Sequence, residues 1–382
     1  MKRTIAVVVA LLAATAVAAT AAHPAVRAWT VSTVATGLDS PRGLAVAPDG
    51  TLYAAESGHG GDVCSAAGDC VGTTAAIAKI DPSSGTVTPV VTGLWSNASA
   101  EGITGVDGVS AGGGRLVAAM TLAPQMFAGF SCGAQSPADC QSVLDATKAQ
   151  AGQLIQFTSG GTWKAIAGVG ASDFDLTTQD PTLSAEGPNA NPYGVLALPG
   201  GTWVADAGAN LLQWVLPNGQ MNLSSRIAPS TPGGFPSDGV PTCLAELRGN
   251  VYAADLGGRL WKRNGQFAPT QVPVVDASGK PLLHHVTGCV SDGLDHLYLV
   301  DMWGTPGPPI PAGPESVAGT GSVVEVTRTG GAQVIASGLD FPNGIALAKD
   351  GSLYVSTDSI CTARGTPLPT CGKGGQIIRL QP

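Results

Sequence analysis

One segment of the sequence occurs twice, near the beginning and near the end of the chain. Residues 37–53 read GLDSPRGLAVAPDGTLY and residues 338–354 read GLDFPNGIALAKDGSLY. A repeat of this kind indicates one supersecondary unit per copy, packed against its neighbours. Six units that close in a ring predict an all-β fold, a six-bladed β-propeller. Degraded copies lie between the two clear ones, near residues 107–120, 191–206, 241–255 and 287–301.

Each copy has the pattern of two β-hairpins. In the first copy, residues 43–47 and 51–55 are apolar segments joined by a Pro-Asp-Gly turn, and a second hairpin follows over residues 76–91. Two hairpins make a four-stranded antiparallel blade. The blades are predicted near residues 41–95, 103–168, 191–228, 241–275, 286–338 and 342–382.

The two ends of the chain complement each other. The last unit stops after its third strand, at residues 376–380, whereas an unassigned strand at residues 29–34 precedes the first unit. We expect residues 29–36 to complete the sixth blade, because this pairing closes the ring and removes an exposed sheet edge.

The first 22 residues have the features of a secretory signal peptide. Lys2 and Arg3 precede an apolar run over residues 5–19, and small residues follow at 19–22. No later stretch approaches the roughly 20 apolar residues of a membrane span. The propeller is therefore predicted to occupy residues 23–382 of an exported, secreted or periplasmic protein without a membrane span.

The composition excludes one class of partner. The formal net charge is −8, and charged residues make up 12% of the chain. Nucleic-acid binding requires clustered Lys and Arg, so we expect no nucleic-acid partner. The 53 glycines and 28 prolines are typical of short strands with many tight turns.

The eight cysteines form an even set, which in an exported chain indicates disulfides. Six of them are close neighbours within loops and predict three local bonds. Cys243 and Cys289 each lie nine residues before the strand tyrosine of their unit, and this equal register predicts a bond between neighbouring inner strands, with two buried free thiols as the alternative. The local pairs are Cys64–Cys70, Cys132–Cys140 and Cys361–Cys371.

A carboxylate follows the second strand of most units, and these side chains are candidate ligands of a hard cation such as Ca²⁺ in the central channel. The alternative is that each carboxylate only stabilises its own turn by hydrogen bonds. Asn343, in the Pro-Asn-Gly element, joins the candidate metal ligands. The carboxylates are Glu56, Asp206, Asp255, Asp301 and Asp358.

Other polar residues are predicted at the channel mouth. Arg42, Asn191 and Asp358 are candidate ligand-binding residues, because each flanks a strand that faces the channel. His284 and His285 precede an inner strand of the fifth unit and are candidate general bases; turn histidines are the alternative. Long insertions at residues 57–74, 121–150 and 168–190 are predicted to form a lid over one face.

The sequences of the repeats resemble those of the ScyD/ScyE family of exported proteins. The resemblance rests on GLDSPRGLA at residues 37–45, YAAESGHGG at 53–61, VVTGL at 90–94, NPYGVLALPG at 191–200 and VADAG at 204–208. It implies a six-bladed propeller of the broad class that includes gluconolactonase-like, paraoxonase-like, NHL-repeat and TolB-like proteins. Related lactonases hold Ca²⁺ at the channel bottom, and Asn343-Gly344 resembles one of their elements, but Arg42 stands at the corresponding place in the first unit.

The sequence leaves three functions open. The first is an exported scaffold that binds a small molecule or a protein partner. The second is a Ca²⁺-dependent lactonase or hydrolase that acts in the central channel. A purely structural role in the envelope comes third.

Overall fold

The computed structural model of the protein describes residues 29–100, 102–134, 136–229, 238–265, 268–304, 316–363, 371 and 374–382. The predicted signal peptide lies outside these residues. The chain forms six antiparallel sheets, which are the blades of a propeller. The first three blades and the strand that precedes them comprise β1 (Thr30–Leu38); β2 (Pro41–Val46), β3 (Leu52–Glu56), β4 (Val63–Cys64), β5 (Cys70–Asp81), β6 (Thr86–Ser99) and β7 (Gly102–Thr104); β8 (Val106–Gly112), β9 (Arg115–Met120), β10 (Gln153–Phe157) and β11 (Trp163–Gly168); and β12 (Pro192–Leu198), β13 (Gly201–Asp206), β14 (Leu211–Val215) and β15 (Met221–Arg226).

The remaining three blades have four strands each, and the sixth takes its fourth strand from the N-terminal segment. Three helices lie in the insertions around the second blade: a 3₁₀ helix at Pro124–Phe127, α1 at Cys140–Gln150 and α2 at Val169–Gln179. The strands are β16 (Pro241–Leu247), β17 (Asn250–Asp255), β18 (Leu260–Lys262) and β19 (Thr270–Val272); β20 (Val286–Ser291), β21 (His296–Asp301), β22 (Gly321–Thr327) and β23 (Ala332–Leu339); and β24 (Ile345–Leu347), β25 (Leu353–Thr357) and β26 (Gly375–Gln381).

The ring is closed by the two ends of the chain. Strand β1 pairs antiparallel with β26, from Thr30 opposite Gln381 to Leu38 opposite Gly375, in a sheet of order β1-β26-β25-β24. Trp29 also packs edge-on against Tyr298 of the fifth blade, with ring centroids 6.2 Å apart. The predicted six-bladed architecture and the closure by the terminal strands are confirmed.

The hydrophobic core lies between the facing sheets of neighbouring blades. Tyr53 of the first blade packs edge-on against Phe157 of the second, with ring centroids 5.7 Å apart. Trp203 of the third blade shares a buried cluster with Val251 and Trp261 of the fourth. Side chains on both faces of each blade are therefore buried, which explains why many strands are apolar along their whole length.

The inner strands of the blades, which are the first strand of each, lie unusually close together. Five of them carry glycine at one equivalent position, and a Cβ atom at any of these would lie under 3.0 Å from the backbone of the next blade. In the fourth blade the position belongs to Cys243, opposite Ala254 of β17, just as Gly194 is opposite Ala205 of β13. The glycines are Gly43, Gly108, Gly194, Gly288 and Gly344.

All eight cysteines are paired as the sequence predicts. The bonds are Cys64–Cys70, Cys132–Cys140, Cys243–Cys289 and Cys361–Cys371. Cys243–Cys289 joins the inner strands of the fourth and fifth blades across a sequence separation of 46 residues. Four disulfides are typical of a protein in an oxidising compartment. Among the described helices, none is long and apolar enough to cross a membrane.

Deletion of residues 29–36 tests the closure of the ring. The deletion removes most of the β1–β26 ladder and the buried side chain of Ala35, and it leaves β26 as an open edge. We expect the free energy of unfolding to fall by more than about 3 kcal/mol, from lost hydrogen bonds and lost apolar burial. Chemical denaturation measures this loss. A chain that begins at residue 29 is the control, and equal stability of the two chains would contradict a closing role for β1.

Candidate functional site

Six equivalent residues surround the centre of the channel. In five inner strands the ladder shifts register immediately before the glycine or Cys243 position, and a β-bulge there turns one side chain out of the ladder. In the sixth blade the same place belongs to Asn343, which precedes Gly344. These residues line the narrowest part of the channel, and we call them the channel ring: Arg42, Asp107, Tyr193, Thr242, Thr287 and Asn343.

Hydrogen bonds connect the channel ring across the axis. The Asn343 amide donates to the Tyr193 hydroxyl at 2.8 Å, which joins the sixth blade to the third, on opposite sides of the ring. The Thr242 hydroxyl donates to the carbonyl of Val286 at 2.7 Å, and so ties the fourth blade to the fifth. The channel is therefore closed at this level by polar contacts between blades.

The two charged members of the channel ring have opposite signs. Arg42 donates through Nη2 to the carbonyl of Ile103 at 2.7 Å, and Asp107 accepts a hydrogen bond from the hydroxyl of Ser57. Burial raises the pKa of Asp107, and the neighbouring Arg42 guanidinium opposes this shift. Burial also raises the pKa of Tyr193, so its hydroxyl stays neutral. Arg42 and Asp107 are therefore electrostatic neighbours of opposite sign.

The channel ring separates two cavities. The upper cavity, at the mouth where the inner strands begin, has a volume of about 480 Å³. The lower cavity, at the mouth where they end, has about 450 Å³, and a space of only about 50 Å³ lies between the two. Arg42, Tyr193 and Asn343 form a polar floor of the upper cavity. Its apolar walls are Val240, Leu256, Met302, Trp303, Phe341 and Ile360.

Three residues that line the upper cavity have a buried polar atom without a partner among the described residues. The atoms are Nε of Arg42, Oδ1 of Asn191 and Nε1 of Trp303. Buried polar groups are nearly always hydrogen-bonded in folded proteins. Two donors and one acceptor around one cavity therefore indicate a place for a polar ligand or ordered water.

The carboxylates predicted to hold a metal accept hydrogen bonds from groups of their own blades. Glu56, Asp206, Asp255 and Asp301 occupy one register, opposite the first residue of the inner strand. Glu56 accepts from the backbone N–H of Asp39 at 2.8 Å, and Asp255 accepts from Arg259 Nε at 2.7 Å. Burial raises the pKa of Glu56 to about 7 and that of Asp255 to about 6. These contacts are those expected of carboxylates that stabilise the turn before each inner strand.

These carboxylates are not brought together in the channel. Among the described residues, no three His, Cys, Asp or Glu side chains are placed to hold a metal ion. Of the predicted ligands, only Asn343 lines the upper cavity, where Arg42 would repel a cation. The channel calcium site therefore stays a prediction without a ligand set among the described residues.

The predicted ligand-binding residues divide into two groups. Arg42 and Asn191 line the upper cavity, whereas Asp358 does not. Asp358 lies one residue beyond Thr357, which has the register of Glu56, and its carboxylate accepts from Gln376 Nε2 at 2.6 Å. The prediction gave Asp358 the register of Glu56, because an acidic residue follows the second strand of most units. In the structure Thr357 has that register.

The histidines hold loops in place. His284 Nδ1 lies 2.9 Å from Asp301 Oδ2, and the buried His285 contacts the Trp303 carbonyl through Nδ1 at 3.2 Å. The His285 and Trp303 rings also pack with centroids 4.7 Å apart. Neither histidine lines the upper cavity, but His285 contacts Trp303, which does. A catalytic role for His284 or His285 stays a prediction.

The loop over the upper cavity differs from the predicted lid. Ser99, Ala100, Gly102 and Ile103 contribute to its wall, at the β6–β7 turn, and Arg42 holds this turn through the Ile103 carbonyl. No described residue of the three long insertions lines the cavity. The sequence also did not single out four members of the channel ring. A signal was present, because each precedes the glycine or cysteine of its repeat: Asp107, Tyr193, Thr242 and Thr287.

Comparisons with known proteins agree on the fold. Neither a protein-family model nor a curated protein matches the sequence. Among solved structures, a gluconolactonase from Xanthomonas campestris is 9% identical, with 92% of this chain and 88% of that chain covered and a TM-score of 0.52. A luciferin-regenerating enzyme is 10% identical, with 93% and 95% covered and a TM-score of 0.52. A putative gluconolactonase is 12% identical, with 92% of each chain covered and a TM-score of 0.51.

Identities this low show a shared fold and nothing finer. The fold and the site define a six-bladed β-propeller similar to gluconolactonase structures, with a closed channel and a cavity at each mouth.

The pH dependence of stability tests the environment of Asp358. Burial raises the pKa of this carboxyl to about 6, so the folded protein binds a proton that the unfolded chain has lost. Its contribution to stability is therefore lost as the pH rises from about 4 to about 6. Asp358→Asn should gain in melting temperature relative to the wild type between pH 4 and pH 8. Asparagine also tolerates the positive φ of 51° at this position.

Asp81→Asn is the control with the opposite sign. Hydrogen bonds from Ser83 lower the pKa of Asp81 to about 2, so this carboxylate is favourable when charged. Asp81→Asn should therefore be less stable than the wild type at neutral pH. Parallel melting curves of the Asp358→Asn variant and the wild type at every pH would contradict the shift at Asp358.

Proposed function

We propose that the protein is an exported binding protein that holds a small, uncharged molecule in the upper cavity. The upper cavity carries this proposal, because it combines about 480 Å³ with apolar walls and a polar floor. Small-molecule sites in proteins have this size and character. The lower cavity is similar in volume, but its wall includes much of the inner-strand backbone and the carboxylates of Glu246 and Asp292.

The charges of the floor favour a neutral head group. An ionised Asp107 would offset the charge of Arg42, and a carboxylate from a ligand would then face a nearly neutral site. The unpartnered Arg42 Nε and Trp303 Nε1 are donors, and Asn191 Oδ1 is an acceptor. A carbonyl or hydroxyl on an aromatic or aliphatic body matches this set. The apolar walls hold the body, and the floor orients the polar end.

Membership of the ScyD/ScyE family and export through the predicted signal peptide belong to the same proposal. The sequence of the repeats at residues 37–45 and 191–200 supports membership of this family. The four disulfides support an oxidising compartment. A protein partner on the upper face is the alternative occupant.

The second function, a Ca²⁺-dependent lactonase, has less support. The described channel residues include no group of His, Cys, Asp or Glu side chains that could hold a metal ion, and Arg42 lies in the floor of the upper cavity. A lactone is nevertheless a neutral acceptor of the kind that the upper cavity favours. Lactones therefore belong in the ligand panel, where hydrolysis would be seen directly.

A binding screen on the mature chain tests the proposal. The panel pairs neutral lactones, methyl esters and ketones with the matching free carboxylates, and calorimetry measures affinity. We expect the neutral member of each pair to bind more tightly. Trp303→Phe keeps the apolar wall but removes the indole N–H, and should weaken binding about tenfold, as expected for one hydrogen bond.

Glu246→Gln, in the lower cavity, is the matched control and should leave binding unchanged. Tighter binding of the carboxylates would contradict the neutral head group. Equal affinity of Trp303→Phe and the wild type would place the ligand outside the upper cavity. Calcium-dependent hydrolysis of a lactone would favour the lactonase.

A further inference from the structure

Two carboxyl groups are buried side by side outside the channel, where α2 packs on the third blade. Asp173 lies on α2 and Asp206 lies at the end of β13, and both residues are fully buried. Their carboxyl groups are hydrogen-bonding neighbours. Two carboxylates in such contact repel each other, and burial adds to the cost of both charges. We therefore expect one of the two groups to carry a proton.

The donors around the pair satisfy one oxygen of each group. Asp206 Oδ1 accepts from three backbone N–H groups, among them that of Asn191, at 2.7, 3.0 and 2.8 Å. Asp173 Oδ1 accepts from Gln213 Nε2 at 2.6 Å. Oδ2 of each carboxyl group is buried and has no donor among the described residues. A proton on one group supplies the missing donor, because a protonated carboxyl is an O–H donor.

The environment favours this proton in the folded protein. Burial raises the pKa of both carboxyl groups, and the charge of Asp206 raises that of Asp173 further. Because three N–H groups stabilise the charge of Asp206, the proton lies on Asp173. The unfolded chain has lost both protons above about pH 4. The stability that the pair contributes is therefore present in acid and is lost as the pH rises through the pKa of the pair.

The other charged groups on the elements around the pair are engaged elsewhere. Asp175, Asp180 and Glu186 are exposed and accept hydrogen bonds from neutral side chains. Arg226, on β15, donates to the backbone carbonyl of Thr182. The charge of the pair is thus determined by the contact between its own two carboxyl groups.

The segment before β12 connects the pair to the upper cavity. The Thr177 hydroxyl on α2 donates to the carbonyl of Asn189 at 2.9 Å and accepts from its N–H at 3.0 Å. Two residues further on, the Asn191 N–H binds Asp206, and the Asn191 carbonyl accepts from the N–H of Ala207 at 2.8 Å. Asn191 and Ala207 both line the upper cavity. This segment is therefore held between α2 and β13, and a separation of the two would displace the cavity wall.

We propose that one proton shared by Asp173 and Asp206 regulates the upper cavity. With the proton in place, the pair joins α2 to the third blade and holds Asn191 at the cavity wall. When the proton passes to solvent, two buried carboxylates remain in contact, and their repulsion moves α2 away from β13 and releases the segment before β12. The cavity then binds its ligand best in acid. This effect on the ligand rests on the proposed function, whereas the shared proton does not.

The pH dependence of stability tests the shared proton. Asp173→Asn keeps the size of the side chain, and its amide can donate to Asp206 at every pH. Relative to the wild type, this variant should gain about 2 to 5 °C in melting temperature between pH 5 and pH 8. Asp175→Asn, on the exposed face of the same helix, is the matched control and should follow the wild type at every pH.

Infrared spectroscopy detects the proton directly, because a protonated carboxyl and a carboxylate absorb at different frequencies. At about pH 6, the wild type and Asp175→Asn should show a buried carboxyl band that Asp173→Asn lacks. If Asp173→Asn does not fold, Asp206→Asn replaces it, since its amide can donate to Asp173. Parallel melting curves of the Asp173→Asn variant and the wild type, with equal carboxyl bands, would overturn the shared proton.

The effect on the cavity is measured with a neutral ketone, acetophenone, whose charge does not change with pH. Its affinity for the wild type should fall at least about threefold from pH 5 to pH 8, and its affinity for Asp173→Asn should stay constant. The same fall in both proteins would overturn the regulation of the cavity. Absence of binding by every neutral member of the panel would overturn the proposed function and the effect on the ligand, whereas the melting curves and the infrared band would still decide the shared proton.

Discussion

The inner strands run so close together that no side chain fits between their backbones at one level, and the rest of the structure depends on this approach. At Gly43, Gly108 and the other glycines of this level, a Cβ atom would overlap the neighbouring blade. Because the backbones meet there, the preceding residue bulges out of the ladder toward the axis. Contact between blades thus produces the channel ring. Cys243 is the exception, and its covalent bond to Cys289 joins the two inner strands at this level.

The parts that depend on repetition could be predicted from the sequence. Residues 37–53 and 338–354 establish the blade, and the incomplete last copy requires a strand from the other end. The equal register of Cys243 and Cys289 was enough to predict their bond because register determines which residues are neighbours on adjacent inner strands. The wall at the β6–β7 turn could not be found in this way, because β7 is an extra strand that the described part of the other blades lacks.

The carboxylates show that a residue pattern alone does not determine the role of a side chain. A carboxylate that accepts several backbone N–H groups and a carboxylate that holds Ca²⁺ have the same position and the same chemical character in a sequence. In Asp206 one oxygen accepts three backbone N–H groups, and the carboxyl group also has a hydrogen-bonding neighbour in Asp173. The neighbour of the second oxygen differs from blade to blade. That neighbour is Arg259 for Asp255, His284 for Asp301 and another carboxyl group for Asp206.

The polar contacts across the channel limit where a ligand can act. Tyr193 and Asn343 meet across the axis, and the space at this level holds little more than a water molecule or two. Passage from one face to the other would require breaking this contact. A molecule in the upper cavity would therefore meet a closed floor. Its selectivity would come from the walls, where His285 contacts Trp303 and Arg42 binds the β6–β7 turn.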